Sequence, residues 1–104
     1  MKPLSPSLKE RKRYILIRVS GIERKEEVAE LVAKASSQFL GEFEMAKAGI
    51  QFLPETWDKK TRTGIIRVGH KHVDQLRAAL ALMKEAKVET LRTSGSLKKL
   101  KETI

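Results

Sequence analysis

The sequence predicts an α+β fold in which strands and helices follow the order β-α-β-β-α-β, with an additional helix at the C-terminal end. Two segments carry apolar residues at helical spacing, and four shorter segments show the alternation that is typical of strands. A short polar turn joins the second and third strands, as in a β-hairpin. With 104 residues, the chain has the length of one domain.

The first half of the chain predicts a basic arm, one strand and one helix. Residues 1–12 contain two prolines and several cations, so we expect a flexible arm before a single domain over residues 13–104. Residues 14–19 alternate as a strand. Residues 25–40 carry apolar side chains at i, i+3, i+4, i+7 and i+11, which predicts a helix that stops at Gly41, with a further helical turn after it.

The second half predicts a hairpin, a second helix, a fourth strand and a terminal helix. Residues 50–57 form the first hairpin strand, where Pro54 marks an edge or a bulge, and residues 64–68 form the second. Apolar spacing predicts a helix over residues 70–85, followed by a strand over residues 87–92. At about ten residues, the terminal helix is too short to be stable alone, so it must dock on the domain.

The two faces of the predicted sheet differ in character. We expect the two long helices to pack on one face, formed by Ile15, Ile17, Val19, Ile66 and Val68. The opposite face, open or covered by the tail and last helix, then mixes aliphatic and arginine side chains: Leu16, Arg18, Ile65 and Arg67. This layout is the ferredoxin-like pattern that RNA recognition motifs share, but the third strand has no aromatic residue for base stacking.

The charge distribution indicates an anionic partner. The net charge is +9 at pH 7. Residues 1–20 carry +5 and residues 59–104 carry +8, whereas residues 21–58 carry −4, so two basic blocks flank an acidic middle. Basic patches attract polyphosphates such as nucleic acids and lose affinity as salt rises. The alternative is that the basic charge serves only solubility.

Composition argues against several classes of site. There is no cysteine, hence no disulfide framework and no thiolate metal site. His70 and His72 lie two residues apart at a predicted helix start and are poorly placed to share a metal ion. No Walker A loop, nucleophile elbow, dinucleotide loop or catalytic carboxylate pair is present. Without a signal peptide or an apolar run of about 18 residues, we expect a cytoplasmic protein with no membrane contact.

The last segment of the chain is a candidate phosphate site. A strand leads through a hydroxyl-rich turn into a basic helix, which we expect Ser94 to cap. The free N–H groups at such a helix start attract anions. Lys98, Lys99 and Lys101 follow within two turns, which favours contact with an RNA backbone. The alternative is an ordinary capped helix with a solvated lysine face.

Four segments together carry a resemblance to a known family. They are the basic start ending in Lys-Arg-Tyr-Ile (7–15), Gly-Ile-Ile-Arg (within 63–68), Leu-Arg-Ala-Ala-Leu (within 76–82) and Ser-Gly-Ser-Leu-Lys (94–98). Their order and spacing over residues 5–101 resemble the ribonuclease P protein component 2 family, the small ferredoxin-like subunits of archaeal and eukaryotic ribonuclease P. No single motif is specific, but the ordered set of four is.

The resemblance implies a non-catalytic subunit of an endoribonuclease that removes the 5′ leader from precursor tRNA. In that family the RNA subunit performs the cleavage with magnesium, so the protein is expected to bind no cofactor itself. The implied partners are the ribonuclease P RNA, a TIM-barrel-like protein subunit of the same enzyme and, indirectly, precursor tRNA. A homodimer within a heterotetramer is also implied.

We therefore hypothesise that two basic blocks contact RNA backbone and that arginines extend the track across the sheet. The predicted RNA-contacting residues are Lys9, Arg11, Lys12, Arg13, Arg18, Arg67, Ser94, Ser96, Lys98, Lys99 and Lys101. Leu16 and Ile65, with the second helix, are predicted to contact the protein partner. Two other functions stay open at this point: a protein-only adaptor and a small-molecule regulatory domain.

Overall fold

A computed structural model describes residues 11–84 and 86–102. Within these residues, the strands and helices follow the order that the sequence predicts. The elements are β1 (Lys12–Ser20), α1 (Lys25–Ala48), β2 (Gln51–Asp58), β3 (Thr63–Gly69), α2 (Val73–Ala81), β4 (Lys87–Ser94) and α3 (Leu97–Glu102), with a 3₁₀ turn at His70–His72 before α2. β1 begins at Lys12, one residue inside the predicted arm. Lys9 lies outside the described residues.

The strands form a four-stranded antiparallel sheet in the order β2-β3-β1-β4. In the central strand β1, Ile15 pairs with Ile66 of β3, and Tyr14 pairs with Ser94 of β4. β2 and β4 are the two edge strands. This is the ferredoxin-like arrangement, so the predicted α+β class is confirmed.

α1 is interrupted at Gly41, where φ is 79° and ψ is 161°. A residue with positive φ cannot continue a right-handed helix, and glycine adopts such a conformation at little cost. The predicted helix over residues 25–40 and its stop at Gly41 are confirmed. A second helical segment then follows to Ala48.

α2 is shorter than the helix predicted over residues 70–85. The 3₁₀ turn replaces its first turn. At its end, the backbone N–H of Leu82 donates to two carbonyls of the final turn at 3.2 Å each, so the helix tightens as it stops. Met83 and Ala86 are buried in the main core beyond the end of the helix. The segment after the helix thus continues to contribute to the core.

The main core lies between α1, α2 and one face of the sheet. Its members from β1 and β3 are those predicted for this face: Ile15, Ile17, Val19, Ile66 and Val68. α1 contributes Val28, Leu31, Val32 and Ala35, and α2 contributes Leu76, Ala79 and Leu80. The apolar stripes of both helices thus face the sheet, as their spacing predicts.

α3 covers the opposite face of the sheet. Its side chains Leu97 and Leu100 pack with Leu16, Leu53 and Ile65 in a second apolar cluster, so the predicted docking of the terminal helix is confirmed. Leu16 is only 7% exposed and Ile65 is 0% exposed. This burial contradicts the prediction that these two residues contact a protein partner, because the chain's own helix already occupies that surface.

β2 leaves the regular ladder with β3 at residues 54–57. The hydroxyl of Thr56 takes the place of a ladder partner there. Its Oγ1 accepts a hydrogen bond from the N–H of Ile65 at 2.8 Å and donates one to the carbonyl of Leu53 at 2.6 Å. The prediction that Pro54 marks an edge or a bulge is confirmed, because β2 is an edge strand and bulges there.

Candidate nucleic-acid interface

α3 begins with a capping hydroxyl, which belongs to Ser96 rather than to Ser94. The backbone N–H of Lys99 donates to Ser96 Oγ at 3.3 Å, the bond expected between an N-cap residue and the third residue of its helix. Ser94 Oγ instead accepts from the backbone N–H of Ser96 at 3.0 Å and closes the preceding turn. The predicted cap at Ser94 is therefore wrong, because β4 continues to Ser94 and the helix begins later.

Three lysines project from α3 into solvent: Lys98, Lys99 and Lys101. Leu97 and Leu100 occupy the inward positions three residues apart, so the lysines between and after them point away from the sheet. One side of the helix is thus apolar and packs on the sheet, and the other side is cationic and faces solvent. Contact between these lysines and RNA phosphates stays a prediction.

The segment that leads into β1 supplies a second set of cations. The carbonyl oxygen of Arg11 accepts a hydrogen bond from the backbone N–H of His70 at 2.9 Å, and His70 Nδ1 lies 3.2 Å from the same oxygen. The backbone that carries Arg11 is therefore held against the 3₁₀ turn after β3. The side chain of Arg11 itself is exposed.

Lys12 and Arg13 are half-buried, and the end of each side chain lies close to a glycine of another segment. A Cβ at Gly49 would lie 3.1 Å from Lys12 Nζ, and a Cβ at Gly95 would lie 3.1 Å from Arg13 Nη1. The same Nη1 donates to the carbonyl of Lys12 at 3.3 Å. The guanidinium of Arg13 therefore lies against the turn that precedes α3, where the β1–β4 pairing brings the first basic block next to the start of the second.

Arg67 lies opposite Tyr14 of β1 and opposite Gln51 of β2. Its Nη2 donates a hydrogen bond to Gln51 Oε1. Its Nε is buried and has no acceptor among the residues that the structure describes. Gln51 therefore orients the guanidinium group, which retains a donor without a partner.

Arg18 lies apart from the other predicted RNA-contacting residues. It pairs with Thr63 near the far end of β1, six residues or roughly 20 Å from Lys12. Its Nη1 lies 3.9 Å from Glu89 Oε1, so a carboxylate balances its charge. Arg18 and Arg67 share one face of the sheet, with the Leu16–Ile65 pair between them, and a common RNA track across this face stays a prediction.

Two further exposed cations were not selected from the sequence. Arg92 is exposed and opposes Leu16, which places it beside the surface that α3 covers. Lys71 is exposed in the 3₁₀ turn. Only the strand register could have identified Arg92, because register decides which face a side chain occupies.

We refer to the cations described above, apart from Arg18, as the basic surface: Arg11, Lys12, Arg13, Arg67, Lys71, Arg92, Lys98, Lys99 and Lys101.

The basic surface offers positive charge and hydrogen-bond donors. Guanidinium groups bind phosphate through two parallel hydrogen bonds, and ammonium groups act as point charges. Across residues 11–84 and 86–102, no three His, Cys, Asp or Glu side chains are grouped so that they could hold a metal ion. Over the same residues, no helix combines the length and the apolar character needed to cross a membrane. The arrangement is suited to binding a polyanion.

Comparison with known proteins gives the chain relatives over nearly its whole length. The model of the Rpp14/Pop5 family matches residues 13–104. Ribonuclease P protein component 2 of Thermococcus gammatolerans is 42% identical over 107 residues, which cover 96% of this chain and 88% of the relative. Ribonuclease P protein component 2 of Pyrococcus abyssi is 37% identical over 109 residues, with coverage of 98% and 91%.

A solved structure shares the fold. A chain in the cryo-EM structure of yeast ribonuclease MRP superimposes with a TM-score of 0.60 at 16% identity, covering 99% of this chain and 94% of that chain. At this identity the likeness supports the fold alone. The family model and the sequence relatives, in contrast, establish the family. The chain belongs to the Rpp14/Pop5 family.

Proposed function

We propose that the chain is a non-catalytic protein subunit of ribonuclease P and that it binds the RNA subunit of the enzyme through the basic surface. Its relatives are named as protein components of ribonuclease P. The observation that carries the proposal is the orientation of α3. Its leucines are anchored on the sheet, and its lysines face outward beside the cations of β1.

In this proposal the protein supplies binding and charge neutralisation, while the RNA performs the removal of the 5′ leader with magnesium. Packed RNA strands repel one another, and lysine and arginine side chains offset this repulsion by displacing condensed counterions. Each neutralised phosphate contributes about 0.7 to 0.9 to the slope of log affinity against log salt concentration. The number of phosphates contacted can therefore be measured.

The RNA interface is tested by replacing Lys98, Lys99 and Lys101 with alanine in the full chain. We expect the salt slope for binding ribonuclease P RNA to flatten by about 2 to 3. The matched control replaces three exposed cations of α2 and the region after it, Arg77, Lys84 and Lys87, and should leave the slope unchanged. Equal slopes for the parent and the α3 variant would remove the RNA assignment of this helix.

Reconstitution tests the function as a whole. Ribonuclease P RNA, this chain and the TIM-barrel-like subunit are combined, and cleavage of precursor tRNA is followed as magnesium is lowered. Stimulation at low magnesium supports the proposal. Binding to the protein subunit without protection of RNA indicates a protein-only adaptor instead. Thermal stabilisation by a small metabolite, without RNA binding, indicates a regulatory domain.

The protein partner needs a surface other than Leu16 and Ile65, which α3 covers. We assign it to the second helix, where Leu82 is 60% exposed at the end of α2. Leu82→Asp should weaken binding to the TIM-barrel-like subunit and leave RNA binding intact. Leu91→Asp, at a 40% exposed leucine of the edge strand β4, is the comparison. Undiminished binding by the Leu82 variant would exclude α2 as this contact.

The implied homodimer within a heterotetramer is tested by analytical ultracentrifugation of the complex with the TIM-barrel-like subunit, which measures the mass of the assembly.

A further inference from the structure

A groove of about 500 Å³ lies at the end of the sheet opposite the start of β1. Its lining residues are Glu23, Arg24, Lys25, Glu26, Trp57 and Lys59. None of them belongs to the basic surface. Trp57 is the only tryptophan of the chain.

Trp57 is fixed in orientation and contributes to the lining of the groove. Its Nε1 donates a hydrogen bond to the carbonyl of Glu23 at 2.9 Å. Its ring meets Phe52 edge-on, with 6.5 Å between ring centroids and 67° between ring planes. The indole is half-buried, so it serves the core and leaves part of its surface to the groove.

The hairpin loop beside the groove presents exposed cations from a hydrogen-bonded turn. Asp58 holds the loop: its Oδ1 accepts from the backbone N–H of Lys60 at 2.9 Å, and its carbonyl accepts from that of Arg62 at 2.7 Å. The carbonyl of Arg62 in turn accepts from the N–H of Val19 in β1 at 2.9 Å. Lys59, Lys60 and Arg62 are exposed. The carboxylate of the loop is therefore used within the turn, while its cations face solvent.

We propose that this groove binds an unpaired nucleotide of an RNA, with the base stacked on Trp57 and the neighbouring phosphates contacted by Lys59 and Lys60. This inference rests on the proposed function, because it takes the partner to be RNA. The wall formed by residues 23–26 carries both signs of charge, with Arg24 Nε 3.6 Å from Glu26 Oε1, whereas Lys59 lies on the side of Trp57. An aromatic ring next to exposed lysines is the arrangement with which proteins bind single-stranded nucleic acid: bases stack on the ring, and cations follow the backbone. The loop residues 59–62 supply three cations, Lys59, Lys60 and Arg62, and no carboxylate, which favours such a partner.

The site differs from the stacking platform of RNA recognition motifs. That platform uses aromatic residues in the two central strands, and the face that would carry it lies partly under α3 here. Trp57 is instead in the edge strand β2, immediately before the hairpin loop. Two separated contacts, the basic surface and this groove, would hold an RNA at both ends of the sheet.

Intrinsic fluorescence of Trp57 provides the test, since no other tryptophan contributes. A short single-stranded oligoadenylate is titrated into the full chain, and binding is followed in parallel by the anisotropy of a label on the oligonucleotide. We expect saturable quenching of Trp57 that coincides with binding. Lys59→Ala combined with Lys60→Ala should lower the salt slope by about 1.4. The control pair, Lys84→Ala with Lys87→Ala, should leave it unchanged.

Replacement of Trp57 by leucine should lower affinity about 5- to 150-fold, the equivalent of about 1–3 kcal/mol per stacked base. The quenching of the unmodified chain does not depend on whether this variant folds. Binding without any change in Trp57 emission would overturn the inference and leave the proposed function standing. Absence of binding to any RNA would overturn both. A change in emission only on addition of the partner protein subunit would assign the groove to a protein contact instead.

Discussion

A Cβ on Gly64 would lie 2.8 Å from Cε1 of Phe52. Phe52 is buried in the main core, and Trp57 also comes within 3.1 Å of the same point. β3 therefore passes so close to two aromatic rings of β2 that only glycine leaves them room. The glycine of the Gly-Ile-Ile-Arg segment thus serves the packing of the hairpin.

Gly64→Ala should destabilise the protein by about 1–3 kcal/mol, because the added methyl group must displace rings that are held in the core. Thermal denaturation measures the loss. Gly95→Ala is the matched control. The nearest atom to its added Cβ is the flexible end of Arg13, which can move aside, so the change should stay within about 0.5 kcal/mol. Equal melting temperatures for the two variants would show that β3 and the rings adjust freely.

Thr56→Val should lower the free energy of unfolding by about 1–3 kcal/mol, although it preserves the shape of the side chain. The hydroxyl bonds both the N–H of Ile65 and the carbonyl of Leu53, and its loss leaves two backbone groups without that partner. Chemical denaturation measures the change. Thr56→Ser keeps the hydroxyl and should recover most of the stability. A serine variant as unstable as the valine variant would assign the effect to the lost methyl group.

Leu100→Ala should loosen α3 from the sheet. Leu100 is 1% exposed in the second cluster, and the loss of its side chain should cost about 2–3 kcal/mol. RNA affinity should fall as well, because the lysines of α3 lose their fixed position. Leu91→Ala makes the same chemical change at an exposed site and should have a small effect on both quantities. A destabilised Leu100 variant with undiminished RNA affinity would separate α3 from the RNA interface.

Ser96→Ala should weaken the start of α3 by about 1 kcal/mol through loss of the N-cap. Hydrogen exchange of the Lys99 amide, which donates to Ser96 Oγ, should become faster. Ser96→Asp retains an acceptor and should protect this amide again. Exchange that is unchanged in the alanine variant would mean that docking on the sheet, rather than the cap, holds the helix.

Local patterns predicted most of the fold. Alternation in β1 placed Ile15 and Ile17 on the core face, because successive side chains of a strand point to opposite sides whatever surrounds them. Gly41 was identifiable as a helix stop for a similarly local reason. The end of α2 was not, because Met83 fits the helical pattern as well, and only the hydrogen bonds at Leu82 show where the helix ends.

The candidate site was predicted less completely. Ser94 and Ser96 are both suitable caps in the sequence, and the pairing of Ser94 with Tyr14 in the sheet decides between them. The face that holds Leu16 and Ile65 was predicted correctly, but its occupant was not settled by the sequence. The groove at Trp57 combines residues 23–26 with Trp57 and Lys59, which lie about thirty residues further along the chain, so no motif reveals it.

The class of fold, the two basic blocks and the family resemblance could all be predicted without the structure. These follow from periodicity, composition and ordered motifs, which are properties of the chain read locally. Three relationships became visible only in the folded chain: α3 covers the second face of the sheet, Arg18 pairs with Glu89, and Trp57 borders a groove with the first residues of α1. Such relationships depend on strand register and on the packing of distant segments, which local spacing does not specify.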